Sequence, residues 1–209
     1  MSYLNEQASS NVKHAPSLPA SSYILSNHTF RHVSDQTCVI AIFRRFGCKF
    51  CRLEALNLSQ MKPAFDKRRI RLIGISFDGD GVKDFVDGNF FKGELFLDPD
   101  RSTYRAMDFK RVSGLSGFKS LFTKAGRDLN SAANAAHVSG NLSGDGWQTG
   151  GLLVVEKGGK VLYQFTQEKV VNHPDYTKIM EVLKIDPKEV EGLHVAGAAS
   201  CGDGACSKP

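Results

Sequence analysis

The chain has 209 residues, 41% of them hydrophobic and 23% charged, which is the composition of a globular protein large enough for one full-sized domain. Its longest apolar run, Cys38–Phe43, is far shorter than the ~20 residues that cross a bilayer, and the first residues lack the apolar core of a secretory signal. The net charge of +5 is spread along the chain without interleaved aromatic residues, which argues against a nucleic-acid binder. We therefore expect a cytosolic protein with no stable membrane insertion and no nucleic-acid partner.

The predicted elements begin after a polar lead-in. Residues 1–35 are rich in Ser and Asn and are predicted to be loosely ordered, with one short edge strand around Tyr23–Leu25. Cys38–Phe43 is a continuous apolar run with β-branched residues, typical of a strand buried on both faces. A helix is predicted over Phe50–Gln60, where apolar residues recur on one side, and Pro63 marks the start of another helical turn.

Two further strand and helix pairs follow along the chain. Ile70–Ser76 is predicted as a second buried strand, and a Gly-rich turn then leads to a short amphipathic helix over Val82–Val86. Glu94–Leu97 is predicted as a brief strand closed by an Asp-Pro-Asp turn, with a helix around Arg101–Met107. The next stretch has the weakest pattern, and it is predicted to hold two helices, near Leu115–Ala125 and near Ser131–His137.

The last predicted elements are a hairpin, a helix and a tail. Leu152–Glu156 and Val161–Thr166 flank Gly158-Gly159, a pair that tolerates the positive φ of a tight turn. Pro174 opens a helix in which apolar residues recur with the spacing of a helix face. From Gly192 onward the small and polar composition indicates a flexible tail.

Alternating strands and helices followed by a hairpin predict an α/β fold, a mixed sheet with helices on both faces. The first buried strand runs directly into a helix that begins with a Cys-x-x-Cys pair, and this is the layout of the thioredoxin-like fold. The expected organisation is a lead-in over 1–35, one thioredoxin-like domain over 36–187 and a flexible tail over 188–209.

Cys48 and Cys51 are the residues that carry chemistry. Three residues apart on a helix, they are neighbours on one face and close enough to form a disulfide. Cys48 lies at the helix start, where unpaired backbone N–H groups favour a thiolate, so it is the predicted attacking sulfur and Cys51 the resolving one. Arg44, Arg45 and Arg52 flank the pair, and each either stabilises the thiolate or extends to the surface.

Two other interpretations of the pair stay open. The cysteines are half of a zinc site if two more ligands join them, and Cys201, Cys206 and His194 are the available residues. Alternatively, the pair is buried and inert, although Gly47 and the arginines indicate an exposed turn. We expect no metal site.

The remaining cysteines and histidines give weaker signals. The odd cysteine count suits a reducing compartment better than a disulfide framework, and Cys38 is predicted to be a small core residue. No Gly-rich nucleotide fingerprint follows a predicted strand, so no bound cofactor is expected. The histidines of the polar segments are predicted to be surface residues: His28, His32, His137 and His173. The pattern assigns no substrate-binding residue.

Three segments in order resemble the peroxiredoxin-like family that includes the prostamide/prostaglandin F synthases, within the alkyl hydroperoxide reductase/thiol-specific antioxidant superfamily. They are FRRFGCKFCRLEA (43–55), FFKGELFLD (90–98) and GNLSGDGWQTGGLLVV (140–155), and the resemblance spans residues 36–187. It implies a thioredoxin-like fold, a cytosolic setting and reduction of prostaglandin H2 or its ethanolamide to the F-type product. It also implies electrons from NADPH through thioredoxin reductase and thioredoxin.

One departure separates the chain from ordinary peroxiredoxins. Their Pro-x-x-x-Thr-x-x-Cys motif has Ala41 and Arg45 at the matching positions here, which argues against the standard peroxidatic pocket. Three functions are therefore carried forward: a prostaglandin F synthase-like reductase of a small lipid peroxide, a general peroxiredoxin-like antioxidant, and a redox-sensing or zinc-binding interaction module without turnover.

Overall fold

The structure is a computed structural model that describes residues 35–112, 121–141 and 144–194, together with the backbone of residues 12–14. Its strands are β1 (Val12–His14), β2 (Cys38–Ile42), β3 (Arg71–Ser76), β4 (Glu94–Leu97), β5 (Gly151–Val155) and β6 (Val161–Thr166). Its helices are α1 (Lys49–Gln60), α2 (Lys62–Lys67), α3 (Val82–Asp87), α4 (Ser102–Ala106), α5 (Lys124–Ala135) and α6 (Tyr176–Val182), followed by a 3₁₀ turn at Pro187–Glu189.

The described strands form one mixed sheet in the order β1-β4-β3-β2-β5-β6. β1, β4, β3 and β2 run parallel, whereas β5 and β6 are antiparallel to their neighbours. β2 lies between β3 and β5 and all five of its residues are buried, as its uninterrupted apolar run predicts. The α/β thioredoxin-like sheet expected from the sequence is confirmed.

The side chains of β2 alternate between two hydrophobic clusters, one on each face of the sheet. Val39 and Ala41 join the larger cluster, which includes buried residues of α1, α2, α3, α5 and α6. Cys38, Ile40 and Ile42 join the smaller one, with Tyr104 of α4. Helices therefore cover both faces. Cys38 is a core residue, and burial raises the pKa of its thiol to about 11.

Two elements differ from the predicted ones. α5 is a single helix from Lys124 to Ala135, so the predicted start at Ser131 is wrong. The hydroxyl of Thr123 accepts a hydrogen bond from the backbone N–H of Gly126 and caps the helix there, a local signal stronger than the helix-weakening effect of one glycine. β1 is a strand where none was predicted, because three residues are too few to show alternation.

Other predictions fall beyond the described residues. The strand around Tyr23–Leu25 and most of the helix near Leu115–Ala125 lie there.

The predicted hairpin is confirmed: φ is 92° at Gly158 and 97° at Gly159, as the tight turn requires. α6 begins two residues after Pro174, since the carboxylate of Asp175 accepts the first free N–H groups of the helix.

Residues 188–194 lie against the domain. The Arg68 guanidinium binds the Glu189 carboxylate at 2.6 Å. The side chain of Asn57, buried in α1, donates to the carbonyl of His194 at 2.9 Å and accepts from its N–H at 2.8 Å. Residues 195–209 lie outside the described residues, and the flexible tail stays a prediction for them. No helix among residues 35–112, 121–141 and 144–194 is long and apolar enough to cross a membrane.

Candidate active site

A tight turn connects β2 to α1 and presents the cysteines. The backbone N–H of Phe43 donates to the carbonyl of Ile75 on the neighbouring strand at 2.8 Å. The ring of Phe46 is fully buried against Phe85, with 4.6 Å between ring centroids. Cys48 then adopts an extended conformation as the N-cap residue of α1. The turn is fixed at both ends, so its position follows from the core.

Arg52 holds this turn from within α1. Its Nε donates to the carbonyl of Phe46 at 2.8 Å and its Nη1 to the carbonyl of Ser139 at 3.1 Å. Arg52 is buried, so the surface interpretation is wrong for it, and among the described contacts its guanidinium bonds to carbonyls rather than to sulfur. Its role is to tie the turn to the segment 139–141.

The segment 139–141 lies directly on the first turn of α1. The N–H of Asn141 donates to the carbonyl of Gly47 at 2.8 Å. A Cβ on Gly140 would lie 2.6 Å from the backbone nitrogen of Lys49, closer than two such atoms can approach. Only glycine at position 140 allows this contact, which brings a distant segment to the side of Cys48.

The pKa values of the two cysteines are shifted in opposite directions. The pKa of Cys48 lies well below its usual range because the Cys51 thiol donates a hydrogen bond to it, and because Arg44 and Arg45 are positively charged nearby; together these outweigh burial. The same hydrogen bond, with burial, raises the pKa of Cys51 well above its usual range. Cys48 is therefore the thiolate and Cys51 the thiol.

The predicted exposure of this turn is wrong. Cys48 and Cys51 are both 5% exposed, and Arg44 and Arg45 are buried. Nη2 of Arg44 donates to the sulfur of Cys48 at 3.2 Å, so Arg44 acts on the thiolate rather than extending to the surface. Its Nε and Nη1 are buried without a hydrogen-bond partner among the described residues.

A cavity of about 570 Å³ opens beside Cys48, within the usual range of ligand sites. The backbone near its rim is held by Asp145, whose carboxylate accepts from Arg101 at 3.0 Å, from Arg111 at 2.6 Å and from the N–H of Trp147 at 3.0 Å. The cavity is lined by the polar residues Arg44, Arg45, Cys48 and Lys49, and its apolar wall residues are Phe50, Leu121, Trp147 and Val170. Sequence reasoning missed this wall because its members come from four separate segments.

A buried acid and a half-buried histidine lie next to Cys51. Glu54 is one helical turn beyond Cys51, and its Oε2 lies 3.4 Å from Nδ1 of His173. Burial raises the pKa of Glu54 to about 8 and lowers that of His173 to about 4. The predicted surface position of His173 is wrong: its ring packs edge-on against Phe50 because the segment before α6 folds over α1.

The spacing from Cys51 is a signal that identifies Glu54 from the sequence, whereas no local pattern marks His173. His137 is exposed as predicted, while His28 and His32 lie outside the described residues. No three His, Cys, Asp or Glu side chains among the described residues gather as metal ligands. The zinc interpretation depends on Cys201 and Cys206, which lie outside the described residues, so it stays untested.

The profile of the AhpC/TSA antioxidant enzyme family matches residues 57–169, which is more than half of the chain. The chain belongs to this family. It is 39% identical over 175 residues to prostamide/prostaglandin F synthase of Xenopus laevis, covering 83% of this chain and 85% of that protein. The proteins of the same name from Sus scrofa and Homo sapiens are 40% identical over 175 residues and 41% identical over 152 residues; the alignments cover 83% and 72% of this chain, and 85% and 77% of theirs.

Solved structures agree on the fold of this AhpC/TSA family member. PrxQ of Xylella fastidiosa matches with a TM-score of 0.53 and 15% identity, covering 82% of this chain and 96% of that one. Peroxiredoxin Q of Xanthomonas campestris matches with a TM-score of 0.50 and 18% identity, covering 74% and 83%. The resemblance seen in the sequence is confirmed, and the chain is a peroxiredoxin-like oxidoreductase of the thiol-dependent kind.

Proposed function

We propose that this protein reduces peroxide bonds with Cys48 as the attacking thiolate and Cys51 as the resolving thiol. The observation that carries the proposal is the position of the Cys48 sulfur. It lies at the N-terminus of α1, accepts a hydrogen bond from Arg44 at 3.2 Å, and lines a cavity with an apolar wall. A thiolate in this setting is a nucleophile next to a space that fits a small apolar molecule.

The chemistry takes two steps on the protein. The Cys48 thiolate attacks one oxygen of the peroxide bond, which breaks and leaves the second oxygen as an alkoxide that takes up a proton. For an endoperoxide the first oxygen remains in a sulfenate ester on Cys48. Cys51 then attacks the Cys48 sulfur, expels the ester oxygen as a second hydroxyl and closes the Cys48–Cys51 disulfide. The substrate gains two electrons and becomes a diol.

Arg44 serves both steps in this scheme. One guanidinium nitrogen already stabilises the Cys48 thiolate, and the Nε and Nη1 donors have no partner among the described residues. A buried cation beside the reacting sulfur favours the developing oxyanion more than water does, because the local dielectric is low.

We propose prostaglandin H2 or its ethanolamide as the substrate and the F-type prostaglandin or prostamide as the product. The names of the relatives in three vertebrates support this choice. The cavity supports it through its walls, since Phe50, Leu121, Trp147 and Val170 suit the hydrocarbon chains of a lipid. Cys48 lines the same cavity and then attacks the peroxide bridge.

The disulfide must be reduced by an external dithiol. We propose thioredoxin for this role, itself reduced by NADPH through thioredoxin reductase, with no cofactor bound to this chain. Such a cycle needs a reducing compartment, and the proposal therefore includes the cytosol.

Steady-state turnover tests the function. The purified protein is mixed with thioredoxin, thioredoxin reductase and NADPH, and the oxidation of NADPH is followed with prostaglandin H2, its ethanolamide and hydrogen peroxide in separate reactions. We expect turnover of the endoperoxides to the F-type products, and none in the Cys48→Ser variant. Equal rates for wild type and Cys48→Ser would overturn the proposal.

A second candidate is a general antioxidant that reduces hydroperoxides, favoured by the match to the AhpC/TSA family. The same chemistry on a hydroperoxide yields an alcohol and water. A kcat/KM for hydrogen peroxide or an alkyl hydroperoxide that exceeds the value for prostaglandin H2 would establish this alternative.

A further inference from the structure

The redox scheme leaves one buried group of the site unused. Glu54 is 6% exposed and lies on the same side of α1 as Cys51, one turn further along. Burying an ionisable carboxyl costs folding free energy unless a partner compensates for it, so its presence here indicates a function. Its contact in the ion-pair range is Nδ1 of His173, at 3.4 Å.

The reductive half of the cycle requires a proton at this place. When an external thiolate attacks the Cys48–Cys51 disulfide, Cys48 is the accessible target because it lines the cavity. Cys51 then leaves as a thiolate that is 5% exposed and does not line the cavity. A thiolate is a poor leaving group in a buried site unless an acid stands beside it.

We propose that Glu54 is the proton donor to Cys51 when the disulfide is reduced, and that His173 is the positioning residue that holds its carboxyl. This inference rests on the assignment of Cys48 and Cys51 as the redox pair.

The surroundings of Glu54 support a neutral acid at pH 7. The groups that act on it electrostatically are Arg44, Cys48, Cys51, His173, Tyr163 and Tyr176. In the reduced protein burial, followed by the Cys48 thiolate, raises its pKa to about 8, and the positive charge of Arg44 only partly opposes this. In the disulfide form the thiolate is absent, and burial, the larger cause, still raises the pKa. Cys51, with its raised pKa, is the stronger base of the two once it is released as a thiolate.

His173 lies between the acid and a second cavity. Its Nδ1 contacts Glu54, its Nε2 is buried without a hydrogen-bond partner among the described residues, and the residue lines a cleft of about 410 Å³. This cleft is distinct from the cavity at Cys48 and is lined by other residues, including Asn57, Tyr176 and His194. A movement of the His173 ring that exposes Nε2 at this cleft would let the carboxyl regain a proton while the substrate cavity stays closed.

Reduction of the disulfide takes two displacements at sulfur. The attacking thiolate forms a mixed disulfide with Cys48, the Cys48–Cys51 bond breaks, and the electron pair stays on Cys51, which takes the proton of Glu54. The second thiolate of the external dithiol then displaces Cys48 and leaves as the oxidised dithiol. Glu54 regains a proton from solvent at the cleft, and the protein has gained two electrons.

Single-turnover reduction tests the proposal without any peroxide. Diamide forms the Cys48–Cys51 disulfide, dithiothreitol reduces it, and acid-quenched samples are labelled at free thiols and weighed by mass spectrometry between pH 5.5 and 9.5. Each rate is divided by the concentration of dithiothreitol thiolate, which removes the titration of the reductant. The variants are Glu54→Gln, Glu54→Asp, His173→Leu and His173→Gln, with exposed Glu156→Gln as the matched control.

In wild type and Glu156→Gln the corrected rate should fall as the pH rises and Glu54, whose pKa is raised by burial, loses its proton. Glu54→Gln should be at least tenfold slower at pH 6.5 and lose this fall, and Glu54→Asp should recover part of both. His173→Leu should be at least fivefold slower there, and His173→Gln within twofold of wild type.

Different results would contradict the role of Glu54, the role of His173 and the redox pair. A Glu54→Gln profile that keeps the wild-type shape, even at a lower rate, would overturn the role of Glu54, and a wild-type rate in His173→Leu would remove that of His173. Alkylation of Cys48 in each reduced variant checks the fold, and if Glu54→Gln fails this check the Glu54→Asp profile decides. Failure of diamide to form a Cys48–Cys51 bridge would instead refute the redox pair itself, and loss of peroxide turnover alone leaves this test unaffected.

Discussion

The Arg44 guanidinium lies 3.2 Å from the sulfur of Cys48, and both side chains are buried. A positive charge enclosed with a thiolate in this way exerts a much larger effect than the same pair in water. The reactivity of Cys48 therefore depends on a residue four positions earlier, in the turn that follows the strand rather than in the helix.

Removing this charge should raise the pKa of Cys48. In Arg44→Met we expect the midpoint of alkylation by iodoacetamide to move up by about one to two pH units, as a charge-assisted hydrogen bond is worth about 1.5–3 kcal/mol. The measurement is the alkylation rate of Cys48 against pH in the reduced protein.

The matched control for this change is Arg105→Met, an exposed arginine of α4 on the opposite face of the sheet. It should leave the midpoint in place. An unchanged midpoint in Arg44→Met would mean that the pKa of Cys48 is set by its position at the helix N-terminus and by the hydrogen bond from Cys51, without Arg44.

Substitution of Cys48 and substitution of Cys51 should block the reaction at different steps. Cys48→Ser should abolish reduction of any peroxide bond, whereas Cys51→Ser should complete one turnover and retain an oxidised Cys48. The reason is that only Cys48 lines the cavity. Trapping of a sulfenic acid on Cys48 with dimedone, read by mass spectrometry, is the test, and dimedone labelling at Cys51 in the Cys48→Ser protein would reverse the two roles.

Ionisation of the buried Glu54 should lower the free energy of unfolding as the pH rises. The folded protein keeps the Glu54 proton up to about 8, whereas in the unfolded chain it is lost near 4.5, so unfolding releases a proton in that range and stability falls as pH rises. His173 acts in the opposite direction between about 4 and 6.5, so the clean window is pH 6.5 to 8. Over that window Glu54→Gln should gain about 2 kcal/mol relative to wild type.

Urea unfolding of the reduced protein at several pH values measures this difference. A constant offset between Glu54→Gln and wild type from pH 6.5 to 8 would show that Glu54 ionises at its ordinary pKa in the folded protein.

Gly140→Ala should separate the segment 139–141 from the first turn of α1. The added Cβ would lie 2.6 Å from the backbone nitrogen of Lys49, and relief of that clash should cost roughly 1–3 kcal/mol of stability. Gly79→Ala is the control, because the nearest atom to its Cβ is 4.0 Å away, and it should change stability by less than about 0.5 kcal/mol. Equal stabilities of the two variants would contradict the close approach.

The sheet and the redox pair follow from local patterns in the sequence. The apolar run at Cys38–Phe43 leads to the central strand, and the two glycines at the hairpin specify their turn, because each signal depends on neighbouring residues alone. The position of Cys48 at a helix N-terminus follows in the same way from the strand that ends just before it.

The burial of the site does not follow from such patterns. The sequence leaves open whether Arg44 and Arg45 act on the thiolate or extend to the surface, because arginine seldom occupies a core. Their burial involves segments from far along the chain, and residues around Gly140 and Trp147 line the same cavity. His173 is polar and precedes a proline, which indicates a loop, and only the packing of that loop on α1 reveals its contact with Glu54.

Trp147 is the one tryptophan of the chain, and it lies in the wall of the cavity beside Cys48, 45% exposed. All intrinsic tryptophan fluorescence of the protein therefore comes from that wall. An apolar molecule that enters the cavity should shift the emission to shorter wavelength by displacing water from the indole, so that occupancy can be titrated on the unlabelled protein with any lipid, reactive or inert.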